Sequence, residues 1–347
     1  MKGRRRERGE KARRRPSPAP GSRGGKRSLD LRTDIGGGLV LRNPVMTASG
    51  TFGYGEEFAD FVDLSRLGAV VVKSISLHPR PGNAPPRLYE TPSGLINSIG
   101  IMSVGVEAFI REKLPALRRH DVPVVASVFG TSISEFGEVT RRLDGAEGIS
   151  AIEVNVGCPN VEKGKMFGTD LDLTRETLKT VRAATRLPVI LKLTPAVPDV
   201  RPFARLGEET GADAISLINS VPAMAIDVRT RRCKVSTGIG GLSGPAIRPI
   251  AVRMVWEAAS VVRIPVIGIG GIATGRDALE FLIAGASAVQ VGTASFVRPT
   301  ASVEILEEVE SALADMGVSK MSEIVGTLRG ARPGEGGAQG AKGPPMQ

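Results

Sequence analysis

Cysteine is nearly absent: Cys158 and Cys233 are the only two in 347 residues. Two thiols fall short of the set of about four that usually holds an iron–sulfur cluster, and they are too few for a disulfide framework. Any cluster serving this chain must sit on another one. Histidine is equally scarce, with His78 reading as a loop residue and His120 as a helix-end residue. No spacing of His, Cys or carboxylate reads as a metal site. Aromatics make up 4% of the chain against 41% apolar residues, so a large core is available and it must be aliphatic, which excludes wholesale disorder. Long hydrophobic runs are also missing. Uncharged stretches such as 264–275 and 285–297 are rich in Gly and short of the roughly 20 apolar residues that span a bilayer.

A charge imbalance is missing from most of the chain as well. Residues 1–27 hold 12 of the 46 basic residues and 2 of the 36 acidic ones, which leaves 34 of each sign in the remainder. The formal +10 is therefore the property of an N-terminal arm, and the body is neutral. An Arg-rich run with no apolar periodicity reads as a disordered arm, a solvated tail or an over-extended start that could still touch RNA or an anionic surface. It has no apolar core of a secretory signal and no amphipathic transit-peptide pattern. Residues 329–347, with six Gly and three Pro, read as a second flexible tail. The expected boundaries are 1–27 for the arm, 28–328 for the folded unit and 329–347 for the tail.

What is present is a rhythm. About 150 residues per domain would suggest two domains, but one α/β barrel of about 250–300 residues fits as well. Apolar, β-branched runs at 45–49, 69–74, 122–128, 151–156, 188–193, 214–218, 265–269 and 288–292 predict strands. Helical patterns follow at 106–119, 134–143, 173–185, 200–210, 249–262, 276–284 and 303–316. Near-continuous Val/Ile/Leu runs mean strands buried on both faces, as in a parallel sheet covered by helices. Eight such units without a change of rhythm predict a (β/α)8 barrel, with a doubly wound sheet as the rival. Two long excursions, 77–105 and 221–244, leave from strand C-terminal ends, the face where barrel enzymes carry their chemistry.

Those C-terminal ends are all small, amide-bearing or charged: Ser49, Lys73-Ser74, Ser127, Asn155 with Cys158 and Asn160, Lys192, Asn219-Ser220, Gly270-Gly271 and Gly292-Thr293. Buried lysines are costly without an anionic partner, and none of these ends offers Asp or Glu, so Lys73 and Lys192 are expected to face an anionic ligand. Glycine pairs after strands seven and eight let backbone N–H groups approach a phosphate closely. Fixed positive charge beside a phosphate site suits a flavin. Cys233 reads as an inert, buried residue.

Several segments together carry a resemblance: 153–160 (Glu-Val-Asn-Val-Gly-Cys-Pro-Asn), 95–100 (Leu-Ile-Asn-Ser-Ile-Gly), 76–80 (Ser-Leu-His-Pro-Arg), 240–245 (Gly-Gly-Leu-Ser-Gly-Pro) and 269–272 (Ile-Gly-Gly-Ile). From about residue 29 to about residue 328 the chain resembles the dihydroorotate dehydrogenases, in particular class 1B catalytic subunits. The resemblance implies FMN held by Ser49, Lys73, Ser74, Ser127, Asn155, Lys192, Ile218, Gly244, Gly270, Gly271, Gly292 and Thr293. It implies dihydroorotate bound by Lys73, Asn97, Ser98, Ile99, Gly100, Ile101, Asn155, Asn160, Asn219 and Ser220, with Cys158 as base. It also implies a cytoplasmic homodimer core joined to an electron-transfer subunit that carries FAD and a two-iron two-sulfur cluster and passes electrons to NAD.

The chain departs from that pattern at Gly157, where the family usually has Ser, at Ser127 for a frequent Asn, and at Ser220 for a common Thr. An Asn-x-Gly-Cys-Pro run is also the pattern of tRNA-dihydrouridine synthases, so Gly157 and the basic arm keep an RNA-directed flavin barrel as the alternative. Asn97, Asn160 and the His78-Pro79-Arg80 stretch speak against it. Because the arm's charge is separable from a neutral body, deleting residues 1–27 is expected to leave FMN content unchanged. Loss of flavin absorbance in the purified truncation would move the boundary into the barrel.

Overall fold

The computed structural model describes residues 29–157, 161–162 and 165–330. Eight parallel strands form one sheet: β1 (Val45–Thr47), β2 (Val70–Val71), β3 (Val124–Val128), β4 (Ala151–Asn155), β5 (Val189–Leu193), β6 (Ala214–Leu217), β7 (Val266–Ile269) and β8 (Ala288–Val291). Neighbours in sequence are neighbours in the sheet, and β8 pairs with β1. Parallel bridging of Met46 to Ala69 brings β1 beside β2 and completes the ring. The predicted barrel is therefore the observed one, each strand lying inside the run that predicted it.

Helices α1 (Ile133–Asp144), α2 (Leu171–Ala184), α3 (Arg201–Glu209), α4 (Arg248–Ala259), α5 (Gly275–Ala284) and α6 (Ala301–Asp315) cover the outside. Their starts follow from capping chemistry. Ser132 accepts from the Glu135 N–H and Asp170 from those of Asp172 and Leu173, while Thr274 and Asp277 form a reciprocal capping box. The pattern at 106–119 is helical with a π-helical turn at Phe109–Lys113 before Leu114–Leu117. Pro115 explains the widening, since it has no N–H to give to the carbonyl four residues back and its ring crowds that carbonyl. The first unit breaks the rhythm: 3-10 turns at Glu56–Phe58 and Leu64–Arg66 stand where a helix would.

Strand side chains alternate between the helix layer and the barrel interior. One inward residue from each strand, Met46, Val71, Val125, Ala151, Ile190, Ala214, Ile267 and Ala288, belongs to a single buried cluster that also contains Ile35 and Leu41. Leu41 belongs to, and Ile35 directly follows a strand of, an antiparallel N-terminal pair, Thr33–Asp34 with Val40–Leu41, that closes the floor of the barrel. Its turn sits hard against the loop before β6, where a Cβ at Gly36 would meet the Asp213 carbonyl oxygen at 2.0 Å. Two residues further along each strand, the inward positions are Ala48, Lys73, Ser127, Glu153, Lys192, Ser216, Ile269 and Gln290. Six of those eight are polar or charged. The interior is thus aliphatic below and polar above.

Leu41 is fully buried in that floor, whereas its neighbour Val40 is 55% exposed. Leu41→Ala is expected to cost about 2–5 kcal/mol by urea unfolding. Val40→Ala is expected to change stability by no more than about 0.5 kcal/mol, and equal effects at the two positions would show that the floor is not packed as described.

Candidate active site

The polar half of the interior opens at the strand C-terminal ends, where most of the anticipated residues converge. The Lys192 ammonium, 3% exposed, donates to Ser49 Oγ at 3.1 Å. Ser74 and Ser127 share a hydrogen bond of 3.0 Å, and Asn155 Nδ2 donates to Ser74 Oγ at 3.1 Å. Asn219 Nδ2 in turn donates to Asn155 Oδ1 at 3.1 Å. Ser127, Ser74, Asn155 and Asn219 thereby form one chain of contacts across the rim, and Lys192 with Ser49 forms a second.

Lys73 and Ser74 are presented by an irregularity in β2. Val71 pairs with Val125 and Ile75 with Val128, so β2 advances four residues while β3 advances three. The extra residue is a bulge, which re-aims side chains at the end of a strand. Its consequence here is that two consecutive residues, Lys73 and Ser74, both serve the rim.

The two excursions come together, which their sequences did not announce. Leu88–Thr91 and Gly94–Asn97 from the first join Val221–Ala223 and Gly240–Ser243 from the second in one antiparallel four-stranded sheet. In its register Asn97 lies opposite Gly241 and donates to the Gly241 carbonyl oxygen at 3.0 Å. A Cβ on Gly241 would fall 2.0 Å from Ser220 Oγ, so Asn97 and Ser220 meet over this glycine. Within the segment Ser98, Ile99, Gly100 and Ile101, the Ser98 hydroxyl is buried and finds no partner among the described residues. Ile101 adopts φ +52°, a left-handed conformation that a β-branched residue holds only where surrounding structure enforces it, and such strain gathers at ligand-binding segments. Asn83, missed in the sequence, braces the segment by donating from Nδ2 to the Ser98 carbonyl oxygen at 3.1 Å.

Gly244, Gly271 and Thr293 line a common cavity of about 160 Å³ with Ile272, Ala273 and Arg298. At Gly271, φ is +76° and a Cβ would lie 2.8 Å from the Gly244 carbonyl oxygen, so only glycine fits. Gly270 precedes it, Gly292 adjoins Thr293, and Thr293 Oγ1 bonds Ser243 Oγ at 2.8 Å. Ile218 is buried at the end of β6. Gly157 has a steric explanation: a Cβ there would be 2.1 Å from Asn219 Nδ2, so the missing side chain is what lets Asn219 lie against the end of β4. Cys158 and Asn160 lie outside the described residues.

Two expectations need correction. Lys192 does have a carboxylate: Glu153, the preceding inward residue of β4, stands 3.3 Å from its ammonium with 0% exposure. The partner escaped notice because it lies inside the strand, not at its end. The signal was nonetheless present, since alternation puts Glu153 and Asn155 on one face of Ala-Ile-Glu-Val-Asn. Cys233 is exposed rather than buried, on the hairpin Ile226–Asp227 with Arg232–Cys233. On the same hairpin the Lys234 ammonium holds the Asp227 carboxyl well below its ordinary range, helped by the Thr230 N–H.

The arrangement offers a buried cation, amides that both donate and accept, hydroxyls, and glycine loops shaped for close backbone approach. Comparison with known proteins adds what geometry alone does not. A model of the family described as dihydroorotate dehydrogenase matches residues 31–313. The chain is 51% identical over 294 residues to the catalytic subunit of dihydroorotate dehydrogenase B (NAD(+)) of Thermodesulfovibrio yellowstonii, covering 84% of this chain and 97% of the relative. Proteins of the same description from Pelobacter propionicus and Desulforudis audaxviator are each 52% identical, covering 84% and 83% of this chain and 96% and 94% of their own lengths. With the barrel, the glycine loops and the amide-lined rim in place, a match of this extent leaves one conclusion: the chain belongs to the dihydroorotate dehydrogenase family.

Proposed function

We propose that this chain oxidises (S)-dihydroorotate to orotate in pyrimidine synthesis, with FMN as its cofactor and NAD as the final acceptor through a partner subunit. The observation that carries the reading is the convergence of Lys192, Asn155, Asn219 and the Asn97 segment on one rim, in a chain matched to this family along most of its length. The residues fit the cofactor. A cradle that a Cβ would fill at Gly271, beside Gly244, Gly270, Gly292 and Thr293, suits a phosphate. The buried cation of Lys192, with Ser49, Lys73, Ser74, Ser127, Asn155 and Ile218, suits a polar ring that gains negative charge. When bound, FMN supplies a hydride acceptor for C6 of the substrate.

This chain's own residues do the rest. Side-chain amides of Asn97, Asn155, Asn160 and Asn219 match the alternating donors and acceptors of a dihydropyrimidine ring, because an amide serves in both roles. The Ser98 hydroxyl, buried without a partner among the described residues, and the Ile99, Gly100 and Ile101 backbone would face the ring, together with Ser220. Lys73 attracts the carboxylate. Cys158 is the base for the proton on C5, a task within reach of a thiol that ordinarily titrates near about 8.5. The RNA-directed alternative loses its footing with the family assignment.

The described residues contain no helix long and apolar enough to cross a membrane. Two cysteines fall short of an iron–sulfur cluster in this chain, and the resemblance to class 1B catalytic subunits implies a partner that carries FAD and a two-iron two-sulfur centre, docked on a homodimer of this chain, as the path to NAD.

Anaerobic mixing with dihydroorotate should bleach the flavin, and Cys158→Ala should slow bleaching by about 10²–10⁴-fold; unchanged reduction would remove Cys158 from the mechanism. The rate should climb with pH toward the thiol range, and a flat profile would count against a thiolate base. The isolated chain should reduce artificial acceptors or oxygen but not NAD until the partner is added. Robust NAD reduction by this chain alone would sink the two-subunit reading.

A further inference from the structure

The ion pair at the centre of the barrel goes beyond what the proposed reaction asks of these residues. Glu153 is completely buried, and its two oxygens take up three donors: Lys192 Nζ at 3.3 Å on Oε1, with Ser216 Oγ at 3.2 Å and Gln290 Nε2 at 2.8 Å on Oε2. These donors come from β5, β6 and β8, so one carboxylate on β4 ties together strands from around the ring. Lys192 reaches in the other direction as well, to Ser49 Oγ at the end of β1. Lys192 therefore stands between a fixed anion beneath it and the open rim above.

A carboxylate in this position is not explained by stability. Buried ion pairs often contribute no more than well-packed apolar residues of the same volume, because both charges must be desolvated. An aliphatic layer would have served the barrel, as it does one layer below. Among the inward positions of the eight strands, the charged residues are Lys73, Glu153 and Lys192 alone, and the polar groups packed against the pair are Ser49, Ser216 and Gln290. Without Glu153 the layer would hold two cations and no anion.

We infer that Glu153 is the positioning residue for Lys192, a fixed counter-charge that keeps the buried amine protonated and aimed at the rim whether or not an anion occupies the site above it. The inference rests on the reading that Lys192 faces a flavin. It gives Glu153 a definite role in proton accounting. On this inference, with Glu153 in place, reduction of bound FMN would be coupled to one proton per two electrons. In Glu153→Gln, the buried amine has no counter-charge while the flavin is oxidised, and it gives its proton to solvent. When two electrons arrive, the negative charge gained by the ring replaces the missing carboxylate and the amine takes a proton back. Reduction then consumes two protons per two electrons, one on the ring and one on Lys192.

The test is the pH dependence of the flavin midpoint potential, measured on FMN-loaded chain against reference dyes between pH 6.5 and pH 9. Each proton taken up changes the reduction equilibrium tenfold per pH unit, about 30 mV for a two-electron couple. The unsubstituted chain should follow a one-proton slope, and Glu153→Gln a slope near twice as steep. An unchanged slope in the variant, at any offset, overturns the inference. Should Glu153→Gln fail to fold, thermal melting of the apo chain decides the matter through Lys192→Met. That variant leaves a lone buried carboxylate, and adding Glu153→Gln to it should raise the melting temperature again. If the second substitution restores nothing, the two residues are not a coupled pair and the inference fails. Failure of the functional reading looks different: the flavin would bind and titrate with the expected slopes but would not bleach with dihydroorotate.

Discussion

A closed ring of eight parallel strands has an inside that only inward side chains can fill, and the rest of this molecule follows from how that space is divided. Met46, Val71, Ile190, Ile267 and their counterparts fill the lower half with aliphatic carbon, and the N-terminal pair seals it with Ile35 and Leu41. Water is thereby kept out from below. The layer above can then hold polar groups in surroundings where each hydrogen bond and charge counts for more than it would in water. Lys192, Glu153, Ser127 and Asn155 are all buried there, close to the open end and supported by a floor that does not give.

The rim divides the remaining work between rigid and added parts. Strand ends supply Ser49, Ser127, Asn155 and Lys192, whose placement is fixed by the ladder itself. The excursions supply Asn97 and Ser220, brought together by a second small sheet. Glycine loops after β7 and after the second excursion meet around Thr293. A site assembled from so many separate segments depends on the ring for its precision, which is the usual economy of this architecture.

The barrel was legible because strands buried on both faces must be written as unbroken Val/Ile/Leu runs, and helices between them carry their own period. The rim residues were legible for the same reason: a strand's end can be read as soon as the strand can. The excursion sheet was not. Leu88–Thr91 and Gly94–Asn97 are each four residues long with a single β-branched residue, and Gly240–Ser243 contains two glycines. Its pairing, Asn97 opposite Gly241, joins residues 144 apart in sequence. The Glu153–Lys192 contact was hidden by register. Ile190 is the residue directly beside Glu153 and Lys192 stands beside Asn155, so the ion pair is diagonal and invisible when strand ends are read singly. Cys233 was misjudged because thiols are usually buried, a general tendency that the exposed hairpin around Val228, 90% exposed, overrides.

The excursion sheet also constrains the order in which the chain can take shape. Its strands belong to the second and sixth units of the ring, far apart in sequence. Bringing such distant segments together carries a loop-closure entropy that local strand–helix units do not face. The ring offsets that entropy by holding the ends of both excursions at one end of the barrel, across its mouth from each other. The entropy of closure thus places the pairing of the excursion sheet after the ring that carries it.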